Sequence, residues 1–534
     1  MARCPAFVPW EACVGDGIDE QARVRLLGGA HGRSDWSAAH ESFCAAIACS
    51  HDVRPANLPS RHASLDQFCC LRRTYSTETS LDLASSLPEA CSYGNVIRSR
   101  LGHPVHRHLA VGSEHHQAIF SVAANQSESR IRLNMSVNIS YMGTKKVLAP
   151  AVIDVVASAQ SGILLDAFSG MCSVGEAVAP KRQVWANDIQ VFSYEVAAAL
   201  FTSADGPQRP VRVADLHFES FTSHKVLLTH QFTKSLEAEA LLLQSKDFTE
   251  FSDRYVQFKN ALDSDLSRFR RHDYVLFSTL YPDTFFGIRQ AIEIDAITAS
   301  IQLAFDNRRA TTDDRRWLLV GLGRAMLRIS NSTGHFAQFL KPNPKSYQTF
   351  LRQRRREVWR EWLSAADEMD AVGGRGWREG NRCFNEDCLA LLPRLPVLSE
   401  RPSVIYADPP YTDDQYSRYY HLLETLVLYD YPTLTGAGRY REQRFRTPFS
   451  VKSQAPAALH ELVRSAANTG ADLVLTYPTN GLMYESGGDL KVLIQKYFRK
   501  VEVSQPLEYH HSTFGASKGP VKTTVKEQIY LGRQ

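Results

Sequence analysis

Lysine is absent from the first 144 of the 534 residues in this chain, and Lys145 is the first to occur. Residues 1–130 also show no sustained helical or alternating apolar period, and turn-forming residues are scattered through them. A segment with so little apolar pattern cannot easily offset the entropy that is lost when a chain becomes ordered. We therefore expect residues 1–134 to be a poorly structured extension, or an over-extended reading frame ahead of Met135. A regulatory module is the alternative.

Pairs of cysteines in the CxxC spacing are missing too, although the chain has ten cysteines and seven of them fall within the first 91 residues. A zinc site would have to draw on the cysteines between Cys44 and Cys70 and on nearby histidines. The adjacent Cys69 and Cys70 are poorly spaced for tetrahedral ligation of one ion. We therefore predict unpaired thiols and no metal site.

Long apolar runs are a further absence. No stretch of about eighteen apolar residues occurs, and the N-terminus lacks the charged and then apolar pattern of a secretory signal. Hydrophobic residues make up 44% of the chain and charged residues 22%, as in ordinary globular proteins. These features predict a cytoplasmic protein without a membrane partner. The net charge of +4 neither requires nor excludes nucleic acid, because a basic face can exist within a near-neutral total.

Strand-like and helical patterns alternate from Met135 onward and indicate an α/β domain. Short apolar runs predict five of its strands, at 162–168, 183–188, 403–408, 471–477 and 525–532. Between 196 and 378, apolar residues recur every three or four positions, which predicts helices that pack through one face. We therefore predict a doubly wound domain in two halves, 135–195 and 379–534, that are separated by a helical insert over 196–378.

The strand predicted at 403–408 ends in the tetrapeptide Asp408-Pro409-Pro410-Tyr411. The N6 amine of adenine is a poor nucleophile because its lone pair is delocalised into the ring, and two acceptors bonded to its hydrogens would free that lone pair. Asp408 supplies one acceptor and the carbonyl of Pro409 a second, on a backbone that the prolines restrict. Tyr411 offers a flat face to an extruded base. An ordinary proline turn is the structural alternative.

A glycine turn follows the first predicted strand, in the segment 166–175 (DAFSGMCSVG). A strand, a glycine turn and a helix start allow the backbone to approach a ligand closely. The phosphate-binding pattern GxGxxG is absent, which argues against a dinucleotide. Asp188 ends the next strand, where a carboxylate can accept hydrogen bonds from ribose hydroxyls. A helix N-cap is the alternative role of Asp188.

Taken together, these segments resemble the signatures of alpha-group, Dam-like DNA adenine-N6 methyltransferases. The matching segments, in chain order, are 141–148, 165–175, 187–189, 383–388 and 408–411. The resemblance covers roughly residues 138–532, and segment 415–425 (QYSRYYHLLET) resembles a subgroup associated with restriction–modification. It implies a Rossmann-like S-adenosylmethionine-dependent methyltransferase domain with a mixed seven-stranded sheet and the cofactor at the carboxyl ends of its strands.

The resemblance also implies roles for residues that bind S-adenosylmethionine. Tyr141 corresponds to the position that packs near the sulfonium, where an aromatic face suits a cation. Lys145 corresponds to the position that pairs with the carboxylate of the cofactor. Phe168 and Gly170 match the cofactor turn.

Three aspartates complete the set that the resemblance implies. Asp188 matches the ribose contact, Asp387 the position near the adenine of the cofactor, and Asp408 the catalytic and cofactor-adjacent acid. The chain departs from the family at Cys172, where a second glycine is common. That departure puts the shape of the turn in question, and we expect Cys172 to be a small packed residue.

The helical insert occupies the target-recognition position of this class. An arginine-rich stretch with interleaved Trp359 and Trp362 is predicted there as one helix, and Arg352, Arg355 and Arg356 are its candidates for neutralising DNA phosphates. A solvated helical face is the alternative. The tail segment 514–522 is another candidate for contact with the DNA backbone.

These observations predict an enzyme that transfers a methyl group from S-adenosylmethionine to adenine N6 in duplex DNA, as part of restriction–modification. Its expected partners are double-stranded DNA and, as a candidate, a cognate restriction endonuclease. An RNA adenine-N6 methyltransferase is the first alternative, since it would use the same tetrapeptide. A DNA-binding regulator with a degenerate methyltransferase fold is the second, although intact Tyr141, Lys145, Asp188 and Asp408 argue against degeneration.

Overall fold

The computed structural model describes residues 136–137, 139, 145, 148–511 and 523–534, and the side chains of 509–511 and 523–524 fall outside that description. The predicted extension over 1–134, its cysteines, Tyr141 and the tail segment 514–522 therefore lie outside the described residues. No helix in the described part of the chain is long and apolar enough to cross a membrane.

A mixed β-sheet carries the site. Its strands are β1 (Leu164–Asp166), β2 (Val184–Asn187), β3 (Arg382–Phe384), β4 (Val404–Ala407), β7 (Asp472–Pro478), β8 (Lys500–Val503), β9 (Leu507–His511) and β10 (Thr523–Arg533). A separate two-stranded hairpin pairs β5 (Leu434–Thr435) with β6 (Tyr440–Arg441). The main sheet has the order β3-β2-β1-β4-β7-β10-β8, and β9 pairs with β10 as an eighth strand. The predicted mixed sheet is confirmed, with one strand more than the seven expected.

The direction of these strands places a crevice at one edge. Strands β3, β2, β1, β4 and β7 are parallel to one another, whereas β10 is antiparallel to both β7 and β8. The chain leaves β1 toward β2 on one side and later returns as β4 on the other. A reversal of this kind opens a crevice at the carboxyl ends of the central strands, which is where ligands bind in open α/β sheets.

Both faces of the sheet are covered, which explains why its strands are continuous apolar runs. Leu164, Val404 and Tyr406 pack into a cluster on one face. Leu165 and Ile405, which alternate with them, pack into a second cluster on the other face. Each apolar side chain that becomes fully buried in this way contributes about 1.5–3 kcal/mol to the stability of the fold.

Helices make up the regular structure between β2 and β3. The helices of the described chain are α1 (Ala149–Ser158), α2 (Ser173–Val178), α3 (Val191–Phe201), α4 (Pro210–Gln231), α5 (Thr233–Leu242), α6 (Phe248–Ser267), α7 (Leu276–Leu280), α8 (Ile288–Asp306), α9 (Thr312–Ile329), α10 (Tyr347–Arg355), α11 (Val358–Asp367), α12 (Arg375–Glu379), α13 (Cys388–Leu391), α14 (His421–Leu428), α15 (Ala455–Asn468), α16 (Leu482–Glu485) and α17 (Leu490–Gln495). Part of this region has an apolar cluster of its own, which includes Phe232, Phe251 and Phe258.

The single helix predicted for the arginine-rich stretch is wrong. The chain leaves α10 at Arg356, whose backbone is extended, and begins α11 at Val358. Trp362 is fully buried and donates from Nε1 to the carbonyl of Leu318 at 2.9 Å. The two tryptophans therefore belong to the packing of the helices, because Trp359 also stacks on Phe221 with 4.4 Å between ring centroids.

Candidate active site

A cleft of about 800 Å³, including its open mouth, lies where β1, β2 and β4 end. The residues that line it come from the predicted cofactor turn, from the tetrapeptide after β4 and from two later segments. They are Lys145, Asp166, Phe168, Ser169, Gly170, Met171, Ser173, Val174, Asp188, Ile189, Gln190, Tyr406, Asp408, Pro409, Pro410, Tyr411, Tyr416, Phe445 and Thr447. Segments that are about 240 residues apart in the sequence thus share one cavity.

The turn between β1 and α2 has the backbone geometry that its glycine suggested. Gly170 has a φ of 49°, in the left-handed region that glycine adopts readily. Cys172 also has a positive φ, at 63°, and is fully buried. The position at which the resemblance led us to expect a glycine is therefore left-handed in this chain, and a cysteine occupies it at some conformational cost.

Asp188 is held by the backbone of this turn and of its own loop. Its Oδ2 accepts from Gly170 N at 2.8 Å, and its Oδ1 accepts from Gln190 N at 2.9 Å. Burial raises the pKa of Asp188 to about 6, and the two backbone N–H groups oppose that rise. The side chain lines the cleft as an ionised acceptor at neutral pH, and the N-cap alternative for α3 is not what the structure shows, since Gln190 stands at that position.

Asp408 belongs to a buried cluster of charges. Lys145 Nζ lies 2.9 Å from Asp408 Oδ1 and 2.9 Å from Glu527 Oε1. Lys145 and Glu527 are almost completely buried, and the side chain of Asp408 is 16% exposed. Although burial lowers the pKa of Lys145, the two carboxylates raise it well above its usual value. The lysine is therefore a fixed cation between two anions.

Further contacts orient the carboxylate of Asp408. Thr476 on β7 donates from Oγ1 to Asp408 Oδ1 at 3.0 Å, and Tyr406 OH lies 3.0 Å from the same Thr476 hydroxyl. Burial raises the pKa of Asp408, while Lys145 lowers it and Glu527 raises it further. Because the lysine and the threonine both contact Oδ1, the described side chains that hold Asp408 leave its second oxygen, Oδ2, for an incoming donor.

Tyr411 follows the two prolines and forms part of the cleft wall. Its ring contacts Tyr477 edge-on with 6.3 Å between centroids, and Lys145 Nζ lies 5.6 Å from its centroid. Its backbone carbonyl accepts from Leu482 N at 3.0 Å. The ring is thus supported from behind while it lines the cleft, as a stacking platform for a flat ligand requires.

Two acidic residues of the site were not predicted from the sequence. Asp166, the last residue of β1, lines the cleft, and burial and the charge of Asp408 raise the pKa of Asp166 to about 8. Its Oδ1 is buried without a hydrogen-bond partner among the described residues. Glu527 lies on β10 and is fully buried, and Val525 and Ile529, two positions to either side of it, are buried too. In the sequence, this buried acid could have been recognised as a charged residue at a position where the strand pattern expects an apolar one.

The segment 415–425, which follows the tetrapeptide, makes hydrogen bonds that hold the surroundings of the cleft together. Gln415 Oε1 accepts from Thr447 N at 3.1 Å, and Ser417 Oγ donates to the carbonyl of Phe445 at 2.8 Å. Glu424 accepts from the N–H groups at the start of α3, at 3.0 Å each. The polar residues of this motif therefore connect the chain after β4 both to the later segment 445–447 and to the first half of the domain.

Other predicted residues lie outside the cleft lining. Asp387 is exposed and caps α13 by accepting from Leu389 N at 3.0 Å. Arg352 is exposed on α10, and Arg355 bonds the carbonyl of Leu243. Arg356 pairs with Glu361, with 2.8 Å between Nη2 and Oε1.

Comparison with known proteins agrees with this geometry. The family model of D12 class N6 adenine-specific DNA methyltransferases matches residues 141–317. The resemblance predicted from the sequence is confirmed. The matched span contains the glycine turn after β1 and Asp188, and it ends before Asp408. A Rossmann-like methyltransferase fold agrees with both this match and the mixed sheet.

Relatives extend the similarity further along the chain. Modification methylase StsI of Streptococcus sanguinis is 23% identical over 361 residues, which is 67% of this chain and 46% of that protein. Modification methylase LlaI of Lactococcus lactis subsp. lactis is 24% identical over 327 residues, 61% of this chain and 44% of its own length. Type II methyltransferase M.FokI of Planomicrobium okeanokoites is 23% identical over 360 residues, 65% and 45% respectively. The chain matches less than half the length of each of these relatives.

Proposed function

We propose that this chain is a site-specific methyltransferase that moves a methyl group from S-adenosylmethionine to adenine N6 in duplex DNA. The observation that carries the proposal is the shared cleft: Asp408 and Tyr411 line it together with the turn at Gly170 and with Asp188. The part with Asp408 and Tyr411 suits a flat base with an exocyclic amine, and the part with Gly170 and Asp188 suits a ribose-containing cofactor. The two are brought together at the carboxyl ends of adjacent strands, where the methyl donor and acceptor would have to meet.

The residues present fit the proposed cofactor. The buried and unbonded Oδ1 of Asp166 suits a ligand that brings positive charge or N–H donors. Asp188 suits the ribose hydroxyls, and Phe168 with Gly170 would flank the cofactor in the turn. Lys145 has three N–H donors, and the structure shows two carboxylates beside its ammonium group. The third donor has no partner among the described residues and would bond the cofactor carboxylate. S-adenosylmethionine supplies an electrophilic methyl group, and the chain supplies the acceptor geometry.

The proposed chemistry depends on Asp408 and the backbone after it. Oδ2 of Asp408 accepts one hydrogen of the N6 amine, and the carbonyl of Pro409 accepts the other. These bonds would draw the nitrogen toward tetrahedral geometry and free its lone pair for methyl transfer, in which the carbon–sulfur bond of the donor would break and leave a neutral thioether. The methylated nitrogen would then carry a positive charge, and Asp408 would accept the proton that it releases. Lys145 and Thr476 hold the carboxylate in place beforehand, so little reorganisation is needed at the moment of reaction.

The biological setting of the proposal is restriction–modification in the bacterial cytoplasm, with a restriction endonuclease as partner. The names of the relatives support this setting, since two of them are modification methylases and one is a Type II methyltransferase. Because DNA is the proposed substrate, the chain would act on the chromosome of the cell that makes it. The roles given above to Tyr141, Asp387 and Arg352 belong to the same proposal.

Transfer of a radiolabelled methyl group tests the proposal directly. The purified chain is incubated with methyl-labelled S-adenosylmethionine and either duplex genomic DNA or total RNA, and a reaction without protein serves as the control. We expect label in DNA as N6-methyladenine, and methylation-sensitive sequencing of the product should reveal one recurrent site. Label in RNA alone would establish the RNA alternative. Binding of DNA without any transfer would support the degenerate regulator instead.

A further inference from the structure

Two arginines, Arg418 and Arg444, contact one tyrosine beside the cleft, and a third, Arg446, is close enough to Arg444 to affect its charge. The guanidinium carbons of Arg418 and Arg444 each lie 5.3 Å from the centroid of the Tyr440 ring. Tyr440 is anchored because its hydroxyl donates to the carbonyl of Ala337. Arg446 lies two residues after Arg444 and is exposed. The arginines come from segments that are about 25 residues apart, so the cluster is a product of the fold rather than of a local charge run.

Arginines with a purely structural role usually pair with carboxylates, and the described residues provide no such salt bridge to this cluster. None of the three arginines forms a salt bridge with a carboxylate in the described part of the chain. Asp414 is the acid close enough to affect Arg418, and it already accepts a hydrogen bond from Tyr419. Burial and the charges of Arg446 and Arg418 lower the pKa of Arg444, whose buried Nε has no described partner. Like charges held this close favour the binding of an anion.

Three arginines between 354 and 360 are different because each of them pairs with a carboxylate. Arg354 is fully buried and lies 3.4 Å from Glu239. Arg356 pairs with Glu361, and Arg360 pairs with Glu357 at 2.7 Å. Those pairs lie within the helical insert, and none of the three arginines lines the cleft.

The position of the unpaired cluster connects it to the active site. Residues 444–447 run along the edge of the cleft, and we call them the lip. Phe445 and Thr447 line the cleft, whereas Arg444 and Arg446, which alternate with them, do not. Hydrogen bonds from Ser417 to the carbonyl of Phe445 and from Thr447 N to Gln415 fix the lip to the segment that follows the tetrapeptide.

We propose that Arg418, Arg444 and Arg446 bind the DNA backbone beside the target adenine, so that the lip holds the strand whose base enters the cleft. This inference rests on the proposed function. The phosphates on either side of an extruded nucleotide remain outside the pocket, at the level of its mouth. Arginine forms paired hydrogen bonds with phosphate and is charged at any physiological pH. Contacts of this kind position the strand and carry no sequence information of their own.

The salt dependence of DNA binding provides the test. The double variant Arg444→Gln/Arg446→Gln is compared with Lys181→Gln/Arg401→Gln, which removes the same charge from the amino ends of β2 and β4. The probe is a fluorescently labelled duplex of mixed sequence, and Kd is measured over a range of salt concentrations. Each phosphate contact contributes about 0.9 to the slope of log Kd against log salt. We expect the lip variant to lose about two units of slope and the control pair none.

Two further measurements separate the possible outcomes. Affinity should fall by the same factor for duplexes of different sequence, and S-adenosylhomocysteine should bind both variants as it binds the parent protein. Arg446→Gln alone, at an exposed position, should lose about one unit of slope and serves if the double variant does not fold. An unchanged slope in the lip variants, or an equal loss in the control pair, overturns the inference. If the parent protein binds DNA through the lip but transfers no methyl group, the proposed function is wrong and the inference that the lip binds DNA is supported.

Discussion

Two strands that flank β1, namely β2 and β4, each end at an aspartate in the cleft, and the two aspartates are held by different means. Asp188, after β2, accepts backbone N–H groups of Gly170 and Gln190. Asp408, after β4, is held by the side chains of Lys145 and Thr476. Backbone donors come with the fold and do not change with sequence, whereas side-chain donors bring a charge that sets the basicity of their partner. The β2 end is therefore suited to hold a ligand, and the β4 end to polarise one.

Replacing Asp408 should have the largest effect of any change at these two ends. Asp408→Asn retains the size of the side chain and removes its charge, so that the N6 amine loses its anionic acceptor. We expect kcat to fall by about a thousandfold, as for other single preorganised electrostatic groups. Single-turnover rates at saturating DNA and cofactor measure it, with Asp188→Asn as the matched change. An equal loss of kcat in both variants would remove the distinction between the two ends.

Tyr411 should have the next largest effect, because stacking at the β4 end requires its ring. Tyr411→Ala should lower kcat/KM for DNA by about 5- to 150-fold, since one base stacked on an aromatic side chain gains about 1–3 kcal/mol. Tyr411→Phe keeps the ring and should retain most activity. Steady-state kinetics on one duplex compares the two variants. If phenylalanine were as harmful as alanine, the hydroxyl and not the ring would be the functional part.

A change at the β2 end should weaken cofactor binding more than it lowers the rate of methyl transfer. Asp188→Asn should weaken binding of S-adenosylhomocysteine by about tenfold, which is typical of a lost charged hydrogen bond. Burial raises the pKa of Asp188 to about 6, so the carboxylate is ionised above that pH and protonated below it. Affinity in the parent protein should therefore decline as pH falls through 6, and in the variant it should not. Calorimetry across that range would contradict the assignment if both proteins behaved alike.

Glu527 should give the smallest change in rate and the most diagnostic change in pH dependence. Its charge raises the pKa of Asp408, so Glu527→Gln should shift the acidic limb of the kcat profile to lower pH. Turnover at neutral pH should fall by about fivefold, because a less basic carboxylate polarises the amine less. Lys526→Gln, at the exposed neighbouring position, is the control. A lower rate with an unmoved acidic limb would indicate that Glu527 only supports the fold.

Several features of the cleft were predictable because they depend on neighbouring residues. The runs that end at Asp166, Asp188 and Asp408 are strands that are apolar on both faces, and the pattern of covered parallel strands is visible in the sequence. The turn at Gly170 was predicted for the same reason, since a left-handed residue after a strand favours glycine. Those roles that depend on the resemblance alone, such as that of Asp387, remain predictions.

The arginines show what such reasoning does not reveal. The DNA contacts at Arg352, Arg355 and Arg356 were inferred from a run of charges and remain predictions, but nothing in the run reveals that Glu361 pairs with Arg356 or that the helix breaks there. The cluster around Tyr440 was not predicted, because Arg418 and Arg444 are separated in the chain and become neighbours only through the fold. Charge count is a property of the sequence, whereas charge compensation depends on distances between segments.

The sequence by itself determined five of the strands, the glycine turn and the order of the acidic residues at the strand ends, because each depends on side chains within a few positions of one another. Only the tertiary structure decided that Lys145 lies between Asp408 and Glu527, residues that are 119 positions apart in the chain. It also decided which arginines lack a counterion. Electrostatic energies fall off with distance in space and not with separation along the chain, so the charge state of the site is a property of the folded protein.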